Sequence, residues 1–278
     1  MKNILKIMLM MITIFTIAGS AVYAAEIPVS DQDQLITSSD WTEISNLQDE
    51  MKKEEPDATI DYDKALKVYV DCNLIKLQTA DTKKLTSALE SANYVWVIPF
   101  KMEKTYGMFT VAKGLPLREE AKSVLTKAEQ EEVKNHAGKW MITEIAEHTV
   151  EPYYDILLEK REALSDCTRV VLVGSQPGMR QPVALGMDDE TARIWISLGY
   201  QYPVMEKIPE TQNVESGVYS FESVAEISDT YIEDSEVSTG AGVQSRSSMK
   251  YVAGIGIVLI GSILIISVLK KKKIKSED

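Results

Sequence analysis

Two long uncharged stretches bound this chain, and between them apolar residues recur at spacings of two and of three to four. From Ser39 to Lys53, Trp41, Ile44, Leu47 and Met51 share one stripe at helix spacing. Asp40 precedes the stripe and Glu43 follows three residues on, which predicts a short amphipathic helix opened by a capping pair. "ALKVYVDCNLIKL", from Ala65 to Leu77, is β-branched and aromatic, so a strand is expected, followed by a helix over Lys83 to Ala92.

"YVWVIPFKMEKTYGMFTVAKG" reads as two strands joined near Glu103 to Thr105. Tyr94, Trp96 and Ile98 alternate with Val95, Val97 and Pro99, so both faces of the first strand are apolar. Such a strand is central or covered, and Pro99 belongs at a bulge or an edge. Pro116 opens a helical stretch carrying Leu117, Ala121, Val124, Leu125 and Ala128, with Gly138 as its stop. "KWMITEIAE" predicts a further strand, and Thr149 and Pro152 start a helix that ends near Asp166.

"VVLVGSQPGMRQPVALG", residues 171 to 187, resembles at first the strand and glycine loop that cradle a phosphate. A helix must follow such a loop, yet Pro182 stands where its first turn would be. Pro177 and Gly178 suit the central positions of a type II turn, and "PVALGMDDETARIWISL" holds two apolar runs around an acidic turn. The pattern therefore predicts strand, turn, strand, turn, strand. Gln176, Pro177, Gly178, Met179 and Arg180 become a candidate recognition turn, exposed on a rigid sheet. The folded part, residues 60–221, is expected to be α+β, a mostly antiparallel sheet with packed helices, built from two similar strand-helix-hairpin halves.

The ends carry addresses. Lys2 and Lys6, an apolar run from Ile7 to Ala18, and small residues ending in Ala24 form a secretory signal over residues 1–24. Residues 25–59 are an N-terminal segment holding the short amphipathic helix. Residues 222–250, rich in Ser, Asp, Glu and Gly, read as a flexible acidic stalk. From Tyr251 to Leu269 the chain is uncharged and long enough for the ~30 Å hydrocarbon layer, so a C-terminal transmembrane helix is expected over residues 251–269, with membrane lipid as its partner. The lysines of the tail, residues 270–278, favour the cytoplasmic side, leaving the N-terminus outside in a single-pass plasma-membrane topology.

This order of signal, exterior domain, stalk, span and lysine tail resembles that of Gram-positive surface proteins, many of which a sortase links to the wall at Leu-Pro-x-Thr-Gly. Here Glu236-Val237-Ser238-Thr239-Gly240 keeps the Thr-Gly pair without the Leu-Pro. The resemblance implies surface display through the membrane, and covers the layout only.

The chain has 42 acidic and 30 basic side chains, net −12. The signal and the tail are both net basic, which leaves the exterior part at about −17 and disfavours nucleic acid as a partner. A protein, peptide or glycan ligand outside the cell remains open.

Candidate chemistry is sparse. The chain has two histidines, His136 and His148, without the spacing of a zinc hydrolase, and Ser175 directly follows Gly174 rather than standing in G-x-S-x-G. Asp57, Asp61 and Asp63 lack the glycine and terminal glutamate of a calcium loop. No catalytic, cofactor or metal residue is predicted. Cys72 ends one expected strand and Cys167 precedes another. If those strands are antiparallel neighbours a disulfide joins them, worth about 4 to 5 kcal/mol by chain entropy; two buried free thiols are the alternative. The expected function is an extracellular binding or sensing module without catalysis of its own. The alternatives are a tethered hydrolase of wall or peptide material, favoured by carboxylates converging in a cleft, and an accessory subunit of a membrane complex. Exposed aromatics such as Trp195 or Tyr200 would favour binding.

Overall fold

The structure is a computed structural model describing residues 27–148, 151–174, 176–179, 181–200, 202–209 and 213–234. The expected signal, span, tail and outer stalk (235–250) lie outside the described residues, as do Ser175 and Arg180. Among the described residues no helix is long and apolar enough to cross a membrane.

Among the described residues ten strands form one sheet: β1 Thr59–Ile60, β2 Leu66–Tyr69, β3 Tyr94–Lys101, β4 Tyr106–Lys113, β5 Trp140–His148, β6 Arg169–Val173, β7 Val183–Met187, β8 Ala192–Ser197, β9 Asn213–Glu215 and β10 Val218–Ser220. Across the sheet they run β5-β4-β3-β2-β6-β7-β8-β10-β9, with β1 beside the far end of β3. Every neighbouring pair is antiparallel except β2 and β6, which are parallel. The fold is α+β with a large, mostly antiparallel sheet. It divides into two meanders, β2 to β5 and β6 to β8, the second extended by the hairpin β9–β10 with β10 on β8, and they spread outward from a central parallel seam.

Both faces are covered, which explains the apolar pattern on both sides of β3. On one face Val95, Val97, Leu66, Val68, Val170 and Leu172 pack with Tyr153 and Leu157 of a short helix, Tyr153–Glu159. On the other face two clusters lie side by side. Leu85 and Leu89 of the helix Thr82–Glu90, with Phe221 and Val224 of the helix Phe221–Asp234, cover Val171, Val173, Leu185 and Trp195. Leu35, Ile44 and Met51 cover Trp96, Ile98, Phe100, Phe109 and Val111. A side chain at Gly107 would meet the Phe100 ring at 2.1 Å, so glycine there lets the ring lie across β4.

Pro99 sits in a central strand, at neither an outer edge nor a bulge. A strand residue points its N and its C=O to the same side, and the Pro99 carbonyl accepts from Asp61 N. Its missing N–H therefore faces the place where β2 has ended and β1 has not begun, so no ladder bond is lost.

Several expectations are corrected. The helix over Ser39 to Lys53 is broken into Trp41–Ile44, a 3-10 turn Ser45–Leu47 and Gln48–Glu54, and the Asp40 side chain caps nothing. The strand from Ala65 stops at Tyr69, because Asp71 turns the chain out of the sheet at φ 61°. The segment 27–59, whose packing the sequence left open, adds Ile27, Val29, Leu35, Ile44 and Met51 to the core. The first part of the expected stalk is the helix Phe221–Asp234, whose Val224 is fully buried.

Candidate functional site

The seam between the two meanders is short. β2 and β6 pair only at Val68 with Leu172 and Tyr69 with Val173. Below that, residues 27–35 lie between them as a strap: Val29 bridges Val170, Gln34 bridges Leu66, and Leu35 N donates to the Ala65 carbonyl. The strap brings Asp33, 2 % exposed, onto the face of the sheet where β2 offers Lys67 and Tyr69 and β6 offers Arg169.

Asp33 accepts three hydrogen bonds and pairs with one ammonium. Tyr69 Oη donates to Oδ1 at 2.8 Å, and Lys67 Nζ stands 3.7 Å from the same oxygen. Ser30 Oγ donates to Oδ2 at 2.6 Å and Arg169 Nη2 donates to it at 2.9 Å. Lys67 is 9 % exposed, and its ammonium lies 4.5 Å from the ring centre of Tyr94, 5.2 Å from Trp96 and 5.8 Å from Tyr69. A second carboxylate, Asp40, holds this aromatic wall by accepting from Tyr94 Oη at 2.8 Å and Trp96 Nε1 at 3.0 Å.

Burial pushes the Lys67 pKa down, Asp33 and Asp40 oppose that shift, and the Arg169 guanidinium adds to it. Burial raises the Tyr69 phenol, and the Asp33 charge reinforces it. Among the described residues Arg169 Nε has no hydrogen-bond partner. The result is a largely buried polar centre, one anion between two cations, that ties the strap to both meanders.

The sequence pointed instead to the turn after β6. The Met179 N–H bonds the Gln176 carbonyl at 2.8 Å and Gly178 has φ 71°, in keeping with the expected type II turn. Its exposure is corrected. Gln176 and Met179 are buried and Pro177 and Gly178 are half-buried, while Arg180 lies outside the described residues. Gln176 Nε2 donates to the carbonyls of Cys72 at 2.6 Å and Gly174 at 3.1 Å, and its Oε1 accepts from Leu74 N at 2.9 Å. Ligands of open sheets favour the crevice beyond the strand ends where the chain departs in opposite directions. Here that position, above β2 and β6, is filled by the Gln176 amide.

Of the two alternatives for the cysteines, the structure holds the free thiols. Cys72 and Cys167 are free and buried. Because β2 and β6 are parallel, Cys72, past the end of β2, and Cys167, before the start of β6, lie at opposite ends of the seam and in clusters on opposite faces.

Other candidates do not converge. Asp61 pairs with Lys64 at 3.6 Å, and among the described residues no three His, Cys, Asp or Glu side chains stand together as a metal site. His136 ends the helix Lys127–His136 and His148 ends β5. Trp195 is fully buried and stacks on Phe221 at 5.8 Å, and the Tyr200 hydroxyl meets that of Tyr153 at 3.2 Å, so neither forms an exposed aromatic face.

Between β4 and β5 the chain makes an excursion that the sequence read as one helix. It holds two, Glu119–Lys122 and Lys127–His136, the second opened by a capping box of Thr126 and Glu129. None of the described side chains from Leu115 to Lys139 is buried. The excursion is an arm set off from the core. Leu117, Ala121, Leu125 and Val133 are partly buried on it and Val124 is 39 % exposed. No family, curated protein or solved structure matches the chain in comparisons with known proteins.

Proposed function

We propose that the chain is a single-pass, surface-anchored binding or sensing module whose domain faces outward and contacts a protein partner through the arm between β4 and β5. The observation that carries this reading is the arm itself. It places an apolar streak outside a domain whose own core is closed on both faces of the sheet. From Leu115 to Lys139 five basic residues balance five acidic ones, so the arm is locally neutral on a strongly acidic chain. Mixed charge around exposed aliphatic residues favours a protein surface over a glycan or a nucleic acid.

The signal and span predicted from sequence supply the topology, and the helix Phe221–Asp234 supplies the link toward the membrane. A photo-crosslinking side chain placed at Val124 in the full chain on intact cells tests the reading. A discrete adduct at Val124, and none from the same probe at Leu77 elsewhere on the surface, is expected. No adduct at Val124, or hydrolysis of a wall fragment by the purified chain, overturns it in favour of the tethered hydrolase.

A further inference from the structure

We propose that Lys67 and Asp33 join spontaneously through an amide bond between Nζ and Cγ, locking the strap covalently to the central strand of the sheet. The inference does not depend on the proposed partner or on the membrane topology. It rests on the polar centre at the seam, which assembles what amide formation between two side chains requires.

The first requirement is proximity. Strap and strand hold the amine and the carboxyl group together, with Nζ 3.7 Å from Oδ1, on backbone fixed by the bridge of Gln34 to Leu66. The second is dryness, because in water hydrolysis is favoured and the ammonium stays protonated. Asp33 is 2 % and Lys67 9 % exposed, and the rings of Tyr69, Tyr94 and Trp96 surround the amine. Burial there also favours the neutral amine, the form with a lone pair to attack.

The third requirement is stabilisation of the charge that develops on oxygen. Tyr69 Oη on Oδ1, and Arg169 Nη2 and Ser30 Oγ on Oδ2, are donors already aimed at the carboxyl oxygens. One ammonium proton passes to the carboxylate, giving amine and acid. The Nζ lone pair then forms the bond to Cγ, the carbonyl electron pair moves onto oxygen, and the tetrahedral centre collapses. One carboxyl oxygen leaves as water, carrying two of the three ammonium protons, and the third remains on the amide nitrogen. No oxidant, metal or co-substrate is consumed.

The product changes the charges at the seam. Two buried charges become one neutral amide, and Arg169, a quarter exposed, keeps an amide oxygen as its acceptor. For a domain held outside a cell, the link prevents the strap from peeling off the seam.

The test is a peptide map of the full chain, extracted from membranes in detergent and digested with trypsin. A linked Lys67 resists cleavage, so the map should contain one branched peptide joining the Asp33 segment to the Lys67 segment, lighter than the two together by one water. Lys67→Arg should abolish it. The wild-type result decides even if that variant does not fold. Recovery of the chain cut after Lys67 at full yield from folded protein, with no branched peptide, overturns the proposal.

Discussion

The side-chain amide of Gln176 donates to the carbonyl of Cys72 at 2.6 Å, spanning 104 residues of sequence to close the upper end of the seam between the two meanders. Through Leu74 N and the Gly174 carbonyl the same side chain satisfies two further backbone groups. Gln176→Ala leaves these groups buried without partners and should cost about 2 to 3 kcal/mol. Urea denaturation measures it, and a loss below ~0.5 kcal/mol would show that the turn is free to repack.

Both thiols are free and buried, so a thiol reagent should find none accessible in the native protein and two after denaturation without reductant. A disulfide would give none in either state.

Stability should fall in the alkaline range. Burial pushes Cys72 and Cys167 from the ordinary 9.0 to about 11, and it raises Tyr69, Tyr94 and Tyr202 above the ordinary 10.0. Each holds its proton more tightly folded than unfolded. Its contribution is complete below the unfolded value and disappears as pH climbs toward the folded one. Lys67, shifted down, works in the opposite direction while unlinked, but it is one group against five. Urea midpoints between pH 8 and 11 should therefore decline, and a flat profile would contradict the burial of these groups.

Removing two methyls from fully buried Val224 should cost about 2 kcal/mol, because the helix Phe221–Asp234 packs on the core. By contrast Val124→Asp on the arm should change stability by less than about 0.5 kcal/mol. Thermal melts of the two variants separate core from arm.

Strand identities were legible wherever apolar alternation ran long, as in Tyr94 to Lys113, and the turn after β6 was legible from Pro177 and Gly178. The seam was not, because it is made of single polar residues far apart in sequence. Lys67 inside "ALKVYV" is the one signal that could have found it, a charge in a strand whose neighbours are buried on both sides. The cysteine pairing stayed open because it turns on strand direction, which alternation does not encode. Asp40 precedes a helix as a cap would, yet the indole and phenol of β3 compete for its carboxylate. The stalk boundary failed because the helix Phe221–Asp234 has a polar composition and buries a narrow stripe.

The proposed surface role requires the domain to face outward, and site-directed labelling tests that most directly. Lys83→Cys in the exposed first turn of the helix Thr82–Glu90, and Ser276→Cys in the tail, are each treated on intact cells with a membrane-impermeant maleimide; the two native thiols are buried. Labelling at 83 on intact cells, and at 276 only after permeabilisation, is the predicted result. Labelling at 276 on intact cells with 83 protected would contradict it.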